Sequence, residues 1–524
     1  MNDPAADLSS WIAPQPAPPE LAGLVRRFRE KLMADPYRPG YHFAIPEGEG
    51  YPGDPNAAFY AAGRYHLMYL YRRAGEGFAW GHVSSADLLH WRHHPDALRP
   101  GQGDEGIFSG GVHVAADGRA TAAYWALGKG RGIGLAFADG PDYDMWTKSP
   151  HNPAIPSTED GITTVPAPDG RPTTVGCVDP SNLWRENGRW YVALGNLCLL
   201  NKVGRGDNAR PEDQGDRLYL FASDDLRTWE YRGLLYEGDR RWTDASEDCM
   251  CPSLFPLPRA AAGGPPSGQH LLLFIAHNKG CQYYIGEYAA ERFTPRVHGR
   301  MSRIDNAFFA PEAMMDAKGR QIMWAWIFDG RPQDRQRASG WTGVYGLPRS
   351  LWLGADGALR LAPVEELARL RLPPGTPFAR QEIAAGRPVA LDAPARDLVE
   401  IELVLRPGNA ARCGLHVMVS ANERTTVFWD RDAAALGIDT TPSSTDSGVK
   451  AVETLPLALA AGEDLALRVF LDRGIVEVFA NDRQAVARAV YPVEQGHGVC
   501  LFAEGGGAEL LRGTAWELAP SNPF

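Results

Sequence analysis

Three things are scarce in this chain of 524 residues. The first is cysteine. There are seven, at positions 177, 198, 249, 251, 281, 413 and 500, an odd number at irregular spacing. That excludes a disulfide framework and leads us to expect a reducing, cytoplasmic compartment. Cys249 and Cys251 lie close together but lack the second pair that a zinc site needs, so neither a metal nor any other cofactor is expected. The second is positive charge. Lys and Arg total 53 against 64 Asp and Glu, a net charge of -11. This argues against nucleic acid and anionic membrane as partners, since both are polyanions. The third is length of apolar run. No stretch approaches the roughly 20 residues of a membrane span. The segment Met1 to Glu20 is acidic and proline-rich and shows no secretory-signal pattern.

Other residues are plentiful. Glycine (57), proline (42), tyrosine (18) and tryptophan (15) together point to many short strands joined by tight turns. The chain is too long for one core, so two domains with an N-terminal appendage are expected.

A repeat organises the first of these domains. Five segments place a turn glycine before an aromatic or aliphatic strand: Gly63 in GRYHLMYLY, Gly118 in GRATAAYWAL, Gly188 in GRWYVALGN, Gly268 in GQHLLLFIAH and Gly319 in GRQIMWAWI. Each glycine lets a hairpin turn reach positive φ cheaply. Recurrence at about 50 to 80 residues suits a propeller blade, and five copies predict five blades. SSADLLHW and ASDDLRTW form a second repeat, whose Trp91 and Trp229 read as packing between blades. Nine residues before the turn glycine stand Asp54, Ser109, Asp179 and Ala310; the fourth blade breaks the spacing with extra loop. First strands line a propeller's axis, so Asp54 and Asp179 are predicted to converge there although distant in sequence.

Around this core the expected boundaries are 1–39 for an N-terminal extension, 40–360 for an all-β, five-bladed β-propeller, 361–380 for a linker and 381–524 for a C-terminal β-sandwich. The extension carries a helical pattern from Glu20 to Met33 with a basic face, read as a docked helix. The linker combines a helical stretch, Val364 to Arg371, with Pro373-Pro374-Gly375. The sandwich is read from the alternating runs LVEIELVL, LHVMVS, TTVFWD, LALRVFLD, IVEVFA and VARAVYP.

The chemistry rests on carboxylates. Asp54 lies in YPGDPNAAFY, Asp179 in GCVDPSNLW, and Glu247 and Asp248 in ASEDCMCPSLFPL. Asp-Pro alone is a common turn initiator. Two such pairs in register at an axis, with an acidic pair in the fourth blade, suit glycoside hydrolysis. There one carboxylate attacks and another acts first as acid and then as base. A third can hold sugar hydroxyls.

These motifs in this order resemble glycoside hydrolase family 32, the invertases, levanases, inulinases and related fructosidases. The match runs from about residue 40 to 524 and includes DPNAAFYAAGRYHLMYLY, WGHVSSADLLHW, IFSGG, VDPSNLW, CPSLFPL, IMWAWIFDG, YGLPRSLWL and LDRGIVEVFANDRQAVARAVYP. The resemblance implies a retaining β-fructofuranosidase, with Asp54 as nucleophile and Asp179 as transition-state stabiliser. Its expected partner is a small carbohydrate, and assembly into a homo-oligomer is left open. Retention sets the nucleophile and the acid/base about 5–5.5 Å apart.

The departures from the family pattern are equally specific. Gly53 stands where the family usually has Asn, Leu70 where it has Gln, Val178 where it has Arg, and Glu312 where it has Gln. Met250 occupies the usual place of the acid/base Glu before Cys-Pro. A bulge before Cys251 is expected to bring Glu247 or Asp248 to the axis, with the longer Glu247 as acid/base and Asp248 against the sugar. Asn56, Trp80, His82, Phe108, Ser109, Glu312 and Trp326 are expected to line the sugar pocket. Lost polar groups, each worth about 0.5–1.5 kcal/mol, imply an altered sugar preference. Transfer in place of hydrolysis, a difructose-anhydride-type reaction, an arabinofuranoside substrate and a non-catalytic sugar-binding role are the alternatives.

Overall fold

The computed structural model describes residues 18–46, 50–207, 209–446 and 450–522. The proline-rich start, on which the reading of a missing secretory signal rests, lies outside these apart from residues 18–20.

Five antiparallel sheets follow one another along the chain, each with a path of four strands. They begin with the innermost strands Pro55–Ala61, Gly106–Val114, Val178–Pro180, Met250–Pro258 and Phe308–Met315. Each innermost strand contacts the next, and the fifth contacts the first, so the sheets close into a five-bladed propeller. The hairpin glycines behave as the repeat requires: Gly63, Gly118, Gly188, Gly268 and Gly319 all have φ between 74° and 88°. The second repeat is a capped turn between the third and fourth strands of a blade. Asp87 Oδ1 accepts the Leu89 and His90 N–H groups, and Asp225 Oδ1 those of Arg227 and Thr228. Leu88 and Leu226 take matching φ of 66° and 62°. A short polar side chain at the turn's first position satisfies the backbone locally, which is why the motif recurs.

The second domain is a sandwich of a seven-stranded and a six-stranded sheet around its own apolar core. The six runs read from the sequence are strands Leu398–Arg406, Arg412–Val419, Thr425–Asp430, Leu465–Asp472, Ile475–Ala480 and Gln484–Ala489. Strands such as Ala435–Asp439, Val452–Pro456, Gly498–Glu504 and Ala508–Glu517 escape the pattern because Gly and charged residues interrupt their alternation. Between the domains, Glu365–Leu370 forms a 3-10 helix of about two turns in the expected helical stretch. The N-terminal helix spans Pro19–Ala34, but only Leu32 is buried and Leu21, Leu24 and Val25 stay more than half exposed. It therefore docks by its last turns alone, with Trp341 Nε1 donating to Asp35 beyond its C-terminus at 2.6 Å.

The segment after the helix joins the two domains. Phe43 and Ile45 pair with Tyr345 and Gly343 of the fifth blade. The N–H groups of Gly40, Tyr41 and His42 converge on the buried Asp472 carboxylate of the sandwich at 2.6–3.0 Å. The His42 ring bridges Asp472 at 2.9 Å and Glu477 at 3.1 Å, and Glu477 in turn holds Arg349 of the fifth blade at 2.8 Å. Burial alone would lower the His42 pKa, but the two carboxylates outweigh it and bring the ring to about 9. A group whose pKa is raised on folding stabilises the protein fully below its unfolded value near 6.5, and that contribution is lost as pH rises through the folded value. Thermal unfolding of the wild type should therefore shift to lower temperature between about pH 6.5 and 9, by a contribution on the order of 3 kcal/mol. In His42→Gln the midpoint should change much less over the same window. Equal slopes in the two proteins would show that this histidine does not carry the effect.

Candidate active site at the propeller axis

The innermost strands all carry a register irregularity along their pairing with the second strand. At such bulges side chains are re-aimed out of the alternating pattern. Asp179 itself has φ of 37° and Cys251 has φ of 47°, conformations that cost about 1–3 kcal/mol for a non-glycine residue and gather at functional sites.

Asp54 and Asp179 meet as the sequence register implies. Cys251 Sγ lies 3.4 Å from Asp179 Oδ2 and 3.8 Å from Asp54 Oδ2, so the two oxygens are separated by less than twice the larger distance. The Cys251 N–H also donates to Asp179 Oδ2 at 3.3 Å, and Ser109 Oγ donates to Asp54 Oδ2 at 2.7 Å. Both aspartates are almost fully buried, at 5% and 3% exposure. Each has its Oδ1 without a hydrogen-bond partner among the described residues. Burial pushes Asp54 upward against the pull of Ser109. Burial and then the charge of Asp54 push Asp179 up to about 7, so the pair titrates as a unit with one proton easily retained. Burial and the two carboxylates hold the Cys251 thiol well above its ordinary value, so it stays protonated and donates to them.

Glu247 is not part of this group, which corrects its expected place as the acid/base. Arg300 donates to its Oε1 at 2.7 Å and Oε2 at 2.9 Å, Gln282 Nε2 to Oε2 at 2.9 Å, and the Asp244 N–H to Oε1 at 3.0 Å. Both of its oxygens are thus taken up, two of the four bonds coming from one guanidinium. Asp248, on the opposite face of the chain, turns instead toward His277. Asp248 Oδ1 accepts the His277 N–H at 2.7 Å and Oδ2 lies 2.8 Å from His277 Nδ1, while Arg205 donates to Oδ2 at 3.2 Å. Burial would raise Asp248, but His277 and Arg205 hold it below the usual carboxylate range. His277 escaped the sequence reading, yet a signal exists. Continuing the Met250–Ile275 pairing outward by two residues on each strand sets Asp248 opposite His277.

The remaining candidates divide. Ser109 touches Asp54 directly. Trp326 stacks on Phe328 at 4.1 Å and edges Tyr51 at 5.3 Å, beside Gly53. Its buried Nε1 is unpartnered among the described residues. Asn56 has both polar atoms of its amide engaged by backbone. Its Nδ2 donates to the Asp54 carbonyl at 2.9 Å and its Oδ1 accepts the Gly110 N–H at 3.1 Å, which ties the first blade to the second. Trp80 and His82 are corrected likewise. Trp80 is buried with Nε1 donating to the Phe108 carbonyl at 3.1 Å. His82 lies fully buried in a stack, 4.2 Å from His94 and hydrogen-bonded to His66 at 3.0 Å, where burial holds it well below its usual pKa. Phe108 is half-buried between Phe78 and Trp125, packing the second blade. These rings sit on strands whose pleat directs them between blades, a direction that the strand's sequence alone leaves undefined.

Glu312 braces the site from the fifth blade. It is buried, and its Oε1 accepts the Ala58 N–H at 2.8 Å. Burial drives its pKa well above the usual range, which favours the neutral acid over the carboxylate. Its role is thus close to that of an amide, the group the family pattern has there. Glu312→Gln should stay within about 0.5 kcal/mol of wild type in denaturant unfolding. Glu312→Ala should lose about 1–3 kcal/mol, because it strands the buried Ala58 N–H. Equal losses in the two variants would contradict this role.

Comparison with known proteins agrees with the geometry. The family model described as "Glycosyl hydrolases family 32 N-terminal domain" matches residues 42–363, and that described as "Glycosyl hydrolases family 32 C terminal" matches 376–517. The chain is 28% identical over 510 residues to a levanase of Bacillus subtilis, covering 90% of this chain and 69% of that protein. It is 27% identical over 512 residues to a sucrose-6-phosphate hydrolase of Zymomonas mobilis, covering 94% of each. The crystal structure of fructan 1-exohydrolase IIa from Cichorium intybus superposes with a TM-score of 0.78 at 22% identity, covering 93% of this chain and 98% of that one, and shares the fold. With both of its domains matched in order and the two aspartates of its motifs brought together at the propeller axis, the chain belongs to glycosyl hydrolase family 32.

Proposed function

We propose that this protein hydrolyses terminal β-fructofuranosidic bonds of sucrose- or fructan-type saccharides by double displacement. The observation that carries the reading is the convergence of Asp54 and Asp179 on Cys251, each with one buried oxygen that has no hydrogen-bond partner among the described residues. Asp54 is the nucleophile. Ser109 fixes its Oδ2, which leaves Oδ1 for the anomeric carbon. Asp179, with its raised pKa, can donate to or accept from ring hydroxyls and steady the oxocarbenium-like transition state. The depth of both carboxyls favours a chain-end sugar over an internal one. The names of the similar proteins, levanase and sucrose-6-phosphate hydrolase, support a β-fructofuranoside as the substrate class.

The test is incubation with sucrose, 1-kestose, inulin, levan and an aryl arabinofuranoside, with product identification and the anomeric configuration followed by NMR. Free fructose released first with retained configuration is expected. Asp54→Ala should lower turnover by about 10⁴-fold or more while keeping its unfolding temperature, because the covalent step is lost. Cleavage of the arabinofuranoside alone, or near-normal activity in folded Asp54→Ala, would overturn the reading.

A further inference from the structure

With Met250 buried in the family's acid position and Glu247 locked by Arg300, the fourth blade has no free carboxylic acid to protonate a leaving group. It has a histidine two residues beyond Ile275, the pairing partner of Met250. His277 sits in the turn that joins strands Pro266–Ala276 and Gly280–Ala289, at the rim of the axial site. That turn is tied down on both sides: Asn306 Nδ2 donates to the His277 carbonyl at 2.8 Å, and Asn278 Nδ2 to Ser246 Oγ at 3.0 Å. Asp248 takes His277 Nδ1, which leaves Nε2 as the nitrogen with no hydrogen bond among the described residues. The ring packs at 5.6 Å on Phe309, which itself packs on Trp326 beside Gly53. The side chain is 42% exposed, whereas Asp54 and Asp179 lie at the bottom with 5% and 3%.

We propose that His277, oriented by Asp248, is the general acid/base of this enzyme. The proposal rests on the double-displacement reading above. In the first step Asp54 bonds to the anomeric carbon, the glycosidic C–O bond breaks with its electrons going to oxygen, and Nε2–H of the imidazolium protonates that oxygen. In the second step the neutral Nε2 takes a proton from water, whose oxygen attacks the same carbon, and Asp54 leaves as carboxylate. The exposure gradient supports this division. A leaving group departs toward solvent, so its proton donor belongs at the mouth, where His277 stands. Asp179 shares the floor with Asp54, both aimed at the same thiol. Burial lowers the His277 pKa, but Asp248, Asp179 and Asp54 together raise it above its ordinary value, which keeps the acid form available near neutral pH. Asp248 acts through the ring and is a positioning residue, in the manner of carboxylates that fix a catalytic imidazole.

The test uses the full chain, with sucrose as the poor-leaving-group substrate and a dinitrophenyl β-fructofuranoside as the activated one. His277→Gln should lose about 10²- to 10⁴-fold on sucrose and far less on the aryl substrate, whose leaving group needs no proton. Azide should restore turnover of the aryl substrate and yield a fructosyl azide. Asp248→Asn removes the anion that supports the imidazolium, so the alkaline limb of kcat/KM should move to lower pH. Unfolding temperatures check that each variant is folded. An active wild type with His277→Gln impaired equally on both substrates, or unimpaired, overturns the acid/base role, as does finding the leaving-group dependence in Asp179→Asn instead. A wild type that cleaves neither substrate overturns the hydrolase reading itself, and the role of His277 with it.

Discussion

Five short strands must close into a ring, and the rest of the molecule depends on how they are clamped. Strand edges lined with unpaired polar groups do not pack against one another unless those groups find partners. Here side chains reach across to the next blade's backbone. Asn56 takes the Gly110 N–H of the second blade, Asn182 both accepts from and donates to the Leu254 backbone of the fourth, and Ser253 accepts the Ala313 N–H of the fifth. Glu312 returns to Ala58 of the first and completes the ring. Between the second and third blades the contact is made by proximity, since a Cβ on Gly111 would fall 2.4 Å from the Asn182 nitrogen. Asp54-Pro-Asn and Asp179-Pro-Ser-Asn are therefore each two devices in one. The aspartate faces the axis and the asparagine sews the blade to its neighbour.

That geometry explains most of the departures from the family pattern. At Gly53 a Cβ would come within 2.5 Å of the Gly50 carbonyl, so the site has no room for a longer residue. Leu70, Val178 and Met250 are each buried, apolar residues at positions where the family pattern has polar ones. An apolar surround is what raises the pKa of a buried carboxyl. Val178 brings no charge to Asp179, whose place near neutrality follows from burial and the charge of Asp54. Glu312 departs least, because burial raises its pKa and so favours the neutral form, which is closest to an amide.

A buried charge knot ties the two domains together. His42 lies between Asp472 and Glu477, and Arg349 reaches Glu477 from the propeller. Removing one member of such a group strands a buried charge, so its cost far exceeds that of a surface pair. The chain segment that supplies His42 also completes pairing on the fifth blade, so the propeller's last sheet and the sandwich are oriented by the same few residues.

Local rules written into the sequence were enough to determine the periodic elements. Turn glycines, capped Asp turns and alternating strands are satisfied within a few residues, so the five blades, the strands with clean alternation and the aspartate register could be read without coordinates. The same register predicted that Asp54 and Asp179 meet. Tertiary structure alone decided what each remaining side chain faces. Two adjacent acids in an extended segment point to opposite sides, and only the positions of Arg300 and His277 determine that Glu247 is sequestered while Asp248 holds the imidazole. Trp80 and His82 have residue types that suit sugars, yet both are buried and bonded to the Phe108 carbonyl and the His66 ring. Protonation was decided last, because burial sets it: the same carboxyl is ionised beside an arginine and neutral in an apolar cleft.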